Sequence, residues 1–154
     1  MTPHLQGEIK QRKPFVSLEA EVYLNLQRTA DALARKEAAV LKPFGLSATQ
    51  YNVLRILRGA GKAGLPCGEI GERMITRDPD ITRLLDRMEK RGLLQRARDS
   101  KDRRVVIARI LRRGLDLLDE LDAPLVGLQK TLLKGLKAEE LRTLSELLER
   151  ARGA

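Results

Sequence analysis

Five side chains within one short stretch have the chemistry to read a nucleic acid: Arg77, Asp80, Thr82, Arg83 and Arg87. A guanidinium such as that of Arg83 matches O6 and N7 of guanine in bidentate fashion, worth roughly 1–3 kcal/mol of base discrimination. Thr82 suits a phosphate oxygen or a thymine methyl. Asp80 suits a cytosine amino group, but a structural role or a pair with Arg83 or Arg77 is an equally ordinary use of an aspartate there. A solvent-exposed helical arginine is the plain alternative for Arg83. A second cluster follows at Lys101, Asp102, Arg103 and Arg104. Asp102 and Arg104 stand two apart in a segment expected to be extended, so they share a face and can pair. Such a pair would hold a guanidinium over a narrow minor groove, where negative potential attracts arginine. An ordinary charged hairpin has the same composition.

The elements that must carry these residues span Cys67 to Ile110 and read as helix, tight turn, helix and basic hairpin. Ile81, Leu84, Leu85 and Met88 recur at i, i+3, i+4 and i+7 and make one apolar stripe. Thr82, Arg83, Asp86, Arg87 and Lys90 occupy the opposite face. Asp78 is the expected N-cap, with Pro79 at the first helical position, where its missing N–H is not needed. Gly92 ends the helix, after Lys90 and Arg91 have complemented the negative end of its dipole. Leu94–Arg98 and Arg103–Ile110 predict the two strands of a hairpin around the polar turn Asp99–Asp102, with its tip at Lys101 to Arg104. From Arg77 to Arg104 there are ten Lys/Arg and six Asp/Glu, a local surplus of +4 that grows toward the hairpin. Together these elements predict a winged helix-turn-helix over 46–110, whose second helix enters a major groove by its N-terminal residues.

Bulk properties agree with a polyanionic partner. The net charge is +9 over 154 residues, and the length suits one domain. Aromatics are only 3%, so the core must come from Leu, Ile, Val and Ala; with 33% charged residues, this composition favours helices. One cysteine, Cys67, excludes an internal disulfide, and the reading is a cytoplasmic protein. No apolar run reaches the ~18–20 residues of a membrane span. Residues 1–14 are polar and basic and are expected to form a loose, disordered arm ahead of the domain at 15–154.

The flanks are helical. Ser17–Leu41 carries Val22, Leu26, Ala30, Leu33 and Ala34 at helical spacing and stops at Pro43 and Gly45. Ser47-Ala48-Thr49-Gln50 matches a capping box, with Leu46 and Tyr51 placed as a hydrophobic staple. Tyr51, Leu54, Ile56 and Leu57 are the expected buried stripe of that helix, and Leu65-Pro66-Cys67 is expected to be extended. After the hairpin, Leu115, Leu118, Leu121, Leu125, Leu128 and Leu132 form a stripe that Pro124 should kink or reset. A last helix begins near Ala138. These stripes exceed what one small reader can cover, by either a folded-back bundle or a dimer. The dimer is preferred, with 17–41 and 112–152 as dimerisation helices. The fold class is therefore mainly α with a small β wing: a winged helix-turn-helix flanked by terminal dimerisation helices.

Three segments carry a resemblance. Leu46-Ser-Ala-Thr-Gln-Tyr-Asn-Val-Leu54, Thr82-Arg-Leu-Leu-Asp-Arg-Met-Glu-Lys-Arg-Gly-Leu-Leu94 and Asp99-Ser-Lys-Asp-Arg-Arg104, with Gly114 ten residues on, resemble the MarR family of transcription regulators. The family's Asp-x-Arg wing pattern falls on Asp102 and Arg104. The resemblance extends from about Ser17 to Arg152. It implies an obligate homodimer that sets two winged helices on a pseudo-palindromic site in double-stranded DNA. It also implies a small effector, aromatic or otherwise, bound between the dimer and DNA-binding parts, usually relieving repression. Tyr23 and Tyr51 are candidate walls of that pocket, as either effector contacts or ordinary core. The chain departs from the pattern at Leu111, where the family commonly has a helix-capping Thr. It also lacks the first-helix cysteine of the peroxide-sensing branch, and His4 and Cys67 are too few for the zinc-sensing one. Cys67, just before a helix N-terminus, is either a thiol of lowered pKa or a buried structural residue.

No catalytic constellation, metal site or cofactor is expected: a lone His4 in an arm cannot serve as a positioned base, and no nucleophile elbow or phosphate loop occurs. A sequence-specific, ligand-responsive repressor is the leading expectation. The rivals are a nonspecific architectural DNA binder and a helical protein-interaction module with a basic face.

Overall fold

The structure is a computed structural model that describes residues 5–153. Its elements in chain order are α1 (Leu5–Glu8), α2 (Leu18–Leu41), α3 (Ala48–Ala60), β1 (Leu65–Pro66), α4 (Cys67–Arg73), α5 (Ile81–Lys90), β2 (Leu94–Arg98), β3 (Val106–Ile110), α6 (Arg112–Leu132) and α7 (Ala138–Ala151). The chain is 66% helical with one small antiparallel sheet, so the expected mainly α class with a β wing is correct.

Local chemistry sets the helix starts. The Ser17 hydroxyl accepts from Ala20 N at 3.1 Å and caps α2. Both halves of the capping box form at α3: Ser47 Oγ accepts from Gln50 N at 3.2 Å, and Gln50 Oε1 accepts from Ser47 N at 3.2 Å. Where a loose arm was expected, Leu5–Glu8 makes a helical turn with Leu5 buried, and Glu8 pairs with Arg28 of α2 at 3.1 Å. One buried leucine and one ion pair supply the anchor that a polar stretch otherwise lacks. His4 lies outside the described residues.

The core sits in the middle of the chain, where α3, α4, α5 and the sheet meet the first half of α6. Leu54, Leu57, Ile70, Leu85, Met88 and Leu118 are among its fully buried side chains. In α3 the buried stripe takes Val53 in place of Ile56, which is only partly covered. The sheet order is β1-β3-β2, so the two-residue extended segment at Leu65 pairs with the second wing strand and the first wing strand is an edge. Of the kink or reset expected at Pro124, the reset does not occur: α6 runs unbroken through it. One lost amide costs a helix about 3 kcal/mol, and the buried Leu121 and Leu125 on either side hold the helix against that loss.

The outer helices differ. No residue of α7 is buried, and in α2 only Leu41 is. Leu18, Val22 and Leu26 of α2, Val126 of α6, and Leu144 and Leu147 of α7 face outward. Among the described residues no helix is long and apolar enough to cross a membrane.

Candidate DNA interface

Helix α5, the expected reading helix, is fixed from three sides. At its N-terminal approach, Asn52 Oδ1 in α3 accepts from Ile75 N at 2.8 Å. At its C-terminal end, the Arg91 guanidinium donates to Gly45 O at 2.7 Å. Gly92 sits at φ +70, and Gly92 N and Leu93 N donate back to Glu89 O and Met88 O at 2.9 and 3.1 Å. These two bonds make a Schellman turn, which needs the left-handed conformation glycine adopts without strain. From the flank, Arg96 of β2 bonds Glu89 and Asp86.

The helix begins two residues later than expected. Asp80, not Asp78, is the N-cap: its Oδ1 accepts from Arg83 N at 3.0 Å. Asp78 instead accepts from Asp80 N at 2.8 Å and closes the turn before the helix. The Asp78 carboxylate is taken up by the amide two residues on, which closes a local turn, and the next carboxylate, Asp80, caps the helix. Asp80 therefore has its carboxylate engaged with its own helix, the structural role that is the alternative to base contact. Arg77 lies in the turn, and Thr82 and Arg83 lie in the first turn of the helix with Arg87 one turn on; all four are exposed. Leu84, Leu85 and Met88 are buried beneath them and Ile81 is partly covered, as the stripe predicts. Among the described residues, the side chains of Arg77, Arg83 and Arg87 have no ion-pair or hydrogen-bond partner within the chain.

The wing tip is a turn rather than a strand. β3 starts at Val106, so Lys101, Asp102, Arg103 and Arg104 all lie in the connection. Asp99 Oδ2 accepts from Lys101 N and Asp102 N at 3.2 and 3.1 Å, while Asp102 Oδ1 accepts from Arg104 N at 3.0 Å. Carboxylates that bond nearby amides compete with a ladder, and here they shorten the strand. The Asp102–Arg104 pair nevertheless forms: Arg104 Nε donates to Oδ1 and its terminal nitrogen to Oδ2, both at 3.1 Å. Arg104's hydrogen bonds hold the Asp102 carboxyl below its usual range. The Arg104 side chain is 91% exposed, so the pair aims a guanidinium into solvent. Arg98 donates to Arg103 O at 2.6 Å and stiffens the tip.

The two tyrosines separate. Tyr51 is buried, its phenol pushed up by that burial, and Arg55 lies 5.9 Å from its ring centroid. It lines a cavity of about 130 Å³ together with Glu37, Asn52, Arg55, Ile75 and Thr76. Tyr23 is 61% exposed on α2 and does not line this cavity. Cys67 is the first residue of α4 and half-buried, and burial pushes its thiol up rather than down. Sequence reasoning passed over Asn52, gave Arg91 a helix-dipole role where its guanidinium also holds the end of α5, and did not connect the trio Asp86, Glu89 and Arg96. The last had one legible sign: carboxylates at i and i+3 on a helix that is followed, past a glycine, by an arginine-bearing strand.

A sequence model described as the MarR family matches residues 46–106. The HTH-type transcriptional regulator MhqR of Bacillus subtilis is 30% identical over 106 residues, 69% of this chain and 72% of its own length. The HTH-type transcriptional repressor MdtR of the same organism is 31% identical over 132 residues, 86% of this chain and 77% of its own length. The crystal structure of a MarR transcription factor from Planctomyces limnophilus superposes with a TM-score of 0.68 at 41% identity, over 88% of this chain and 98% of that one.

Proposed function

The chain belongs to the MarR family of transcription regulators, and from that membership we propose that it is a sequence-specific repressor binding a pseudo-palindromic DNA site as a homodimer in the cytoplasm. The observation that carries this reading is the division of labour among its arginines. Arg77, Arg83 and Arg87 stand exposed on and before α5, and Arg104 is held outward at the wing tip by Asp102. An α-helix presenting free guanidiniums suits base edges in a major groove, and a pinned wing arginine suits the adjacent narrow minor groove. Arg83 is the base reader in this proposal, and Thr82, Lys101 and Arg103 are backbone contacts.

The dimer rests on the apolar residues that one chain leaves uncovered. Among the described residues, Leu18, Val22 and Leu26 on α2 and Leu144 and Leu147 on α7 remain exposed or only partly covered. Apolar residues left exposed along two helices are a poor surface for a monomer and a natural one for a symmetric partner. The protein is expected to sediment as a dimer, and a stable monomer at micromolar concentration would contradict the arrangement.

Repression follows if a bound dimer excludes other proteins from the same DNA, and the relative MdtR is named a repressor. The effector is a small molecule at the Tyr51 cavity, which abuts Ile75 and Thr76 just before the reading helix. At about 130 Å³ this space is a little smaller than the ~150 Å³ cavity that admits benzene. A space of that order suits a small ring compound. Arg55 and the buried Tyr51 favour an aromatic compound, by cation–π contact and stacking.

Selection of bound DNA from a random pool, followed by footprinting, tests the reading. A regulator protects a palindrome with half-sites about one helical turn apart. Uniform protection of any duplex would mark an architectural protein, and no complex at low salt would leave an interaction module with a basic face.

A further inference from the structure

We propose that Arg96 is a positioning residue that locks the wing to the reading helix, so that Arg104 and the α5 arginines meet DNA as one rigid unit; this rests on the DNA-binding reading above.

Arg96 differs from the other arginines of the interface. Its side chain is 18% exposed, against 91% for Arg104. Its backbone N–H donates to Glu89 Oε1 at 2.8 Å, and its Nε and a terminal nitrogen donate to Glu89 Oε2 at 2.9 and 2.8 Å. The same terminal nitrogen reaches Asp86 Oδ1 at 2.9 Å. Asp86 is held in turn by Lys90, at 3.1 Å through its other oxygen. One residue of β2 thus makes four short hydrogen bonds to two carboxylates one turn apart on α5. Only a planar guanidinium fork with a fixed geometry can satisfy that set.

The backbone contact matters as much as the fork. β2 is the edge of the sheet, and an edge amide has no strand to bond. Glu89 takes the place of that strand, so the helix itself completes the edge. The other ties between wing and reader lie at the base of the sheet, where Leu94 and Ala108 are buried in one core with Leu84, Leu85 and Met88. β1 pairs with β3 over only two residues, Leu65 with Ala108 and Pro66 with Ile107. The Gly92 turn joins α5 to β2 in sequence, but a single turn does not fix the angle between them. Arg96 adds a directional polar attachment along the flank of α5, and with it the direction in which the wing tip points. Without it the wing can still fold, but Arg104 would sample many positions relative to Arg83 and Arg87.

The consequence is an energetic coupling between Arg96, which does not face DNA, and Arg104, which does. The test is a double-mutant cycle on DNA affinity in the full-length protein. Wild type, Arg104→Ala, Arg96→Met and the double variant are titrated against the DNA selected from a random pool and against random-sequence duplex. Met keeps the stem packing of Arg96 and removes the fork; Arg96→Lys keeps the charge. The Arg104→Ala cost at the selected site is expected to shrink at least about threefold in the Arg96→Met and Arg96→Lys backgrounds, a coupling of the size measured for residues sharing a network. Loss of stability alone would leave that cost unchanged in a still-folded variant. Additive costs overturn the proposal. Glu89→Gln, which keeps an acceptor for Arg96 N but faces the guanidinium with an amide, is expected to show the same decoupling more weakly and serves if Arg96→Met does not fold. Amide exchange of the DNA-free protein gives an independent reading: Arg96→Met should accelerate exchange in β2 and leave α3 and α6 unchanged, and unchanged β2 exchange also overturns the proposal. A wild type that forms no specific complex sinks the DNA-binding reading and this inference with it, whereas specific binding with additive costs sinks the inference alone.

Discussion

The wing pair yields a prediction in which charge and geometry oppose each other. Asp102 brings a negative charge to a surface proposed to meet phosphate, yet it also pins Arg104 through both carboxylate oxygens. Replacing Asp102 by Ala removes one negative charge per protomer. If the wing acted only by charge, this variant would bind every duplex more tightly. If Asp102 acts by holding Arg104, the variant weakens at the operator while binding random DNA as well as before or better. Asp102→Asn is the graded case. Its amide oxygen can still accept from Arg104 N and Nε, and only the contact now made by Oδ2 is lost, so it should fall between wild type and Ala.

Arg104→Ala calibrates the scale. Each phosphate neutralised contributes about 0.9 to the slope of log affinity against log salt. A dimer that loses one guanidinium per wing should lose about 1.8 from that slope. Over a fourfold rise in salt, from about 50 to about 200 mM, the gap between wild type and variant should then close roughly twelvefold. Fluorescence anisotropy titrations at three salt concentrations, on operator and random duplex, measure both quantities. An unchanged slope for Arg104→Ala removes this residue from the interface. Tighter operator binding by Asp102→Ala at every salt concentration would refute the pinning role, since charge would then account for the wing by itself.

Three further outcomes are expected. Arg83→Ala should flatten the preference at one base position per half-site, by roughly 1–3 kcal/mol; an unaltered selection profile would assign the reading elsewhere on α5. Gly114→Ala would place a Cβ 2.6 Å from Leu93 O and 2.9 Å from Ile110 Cγ1, at the junction of wing and α6. Overpacking of this sort costs about 1–3 kcal/mol and should appear as a lowered Tm in thermal melting, whereas an unchanged Tm would mean that the junction relaxes freely. Arg58 of α3 donates to both oxygens of Asp122 on α6, at 2.8 and 2.9 Å, and holds that carboxyl below its usual 3.8. A depressed carboxylate adds stability above its unfolded value and loses it as pH falls through its folded one. Asp122→Asn should therefore be less stable than wild type at neutral pH, with the difference closing in acid below about pH 4; a difference independent of pH would remove the ion pair as its cause.

What could be read from the chain depended on how far apart the interacting groups lie. The Ser47–Gln50 box and the Gly92 turn are complete within a few residues, so spacing alone identified them. The stripe of Leu84, Leu85 and Met88 was legible for the same reason, because one helical period decides it. Asp78 and Asp80 show where local rules fail: both satisfy the N-cap preference, and only the fold of the preceding turn decides between them. The Asp102–Arg104 pair was foreseen from strand alternation but forms in a turn, because Asp99 and Asp102 draw nearby amides away from the ladder. Tyr23 and Tyr51 look alike in sequence, and only packing buries one and leaves the other on an uncovered face. The Arg96 network was the least legible. On the chain, Asp86 reads as one of the polar face and Glu89 carries no assigned role, and nothing local says that an edge strand will lie alongside them. Once the strand is there, its unpaired amide and its guanidinium convert two surface carboxylates into the attachment between reader and wing. Residues that touch DNA can thus be proposed from charge and helical phase, while those that aim them become visible only when the elements are packed.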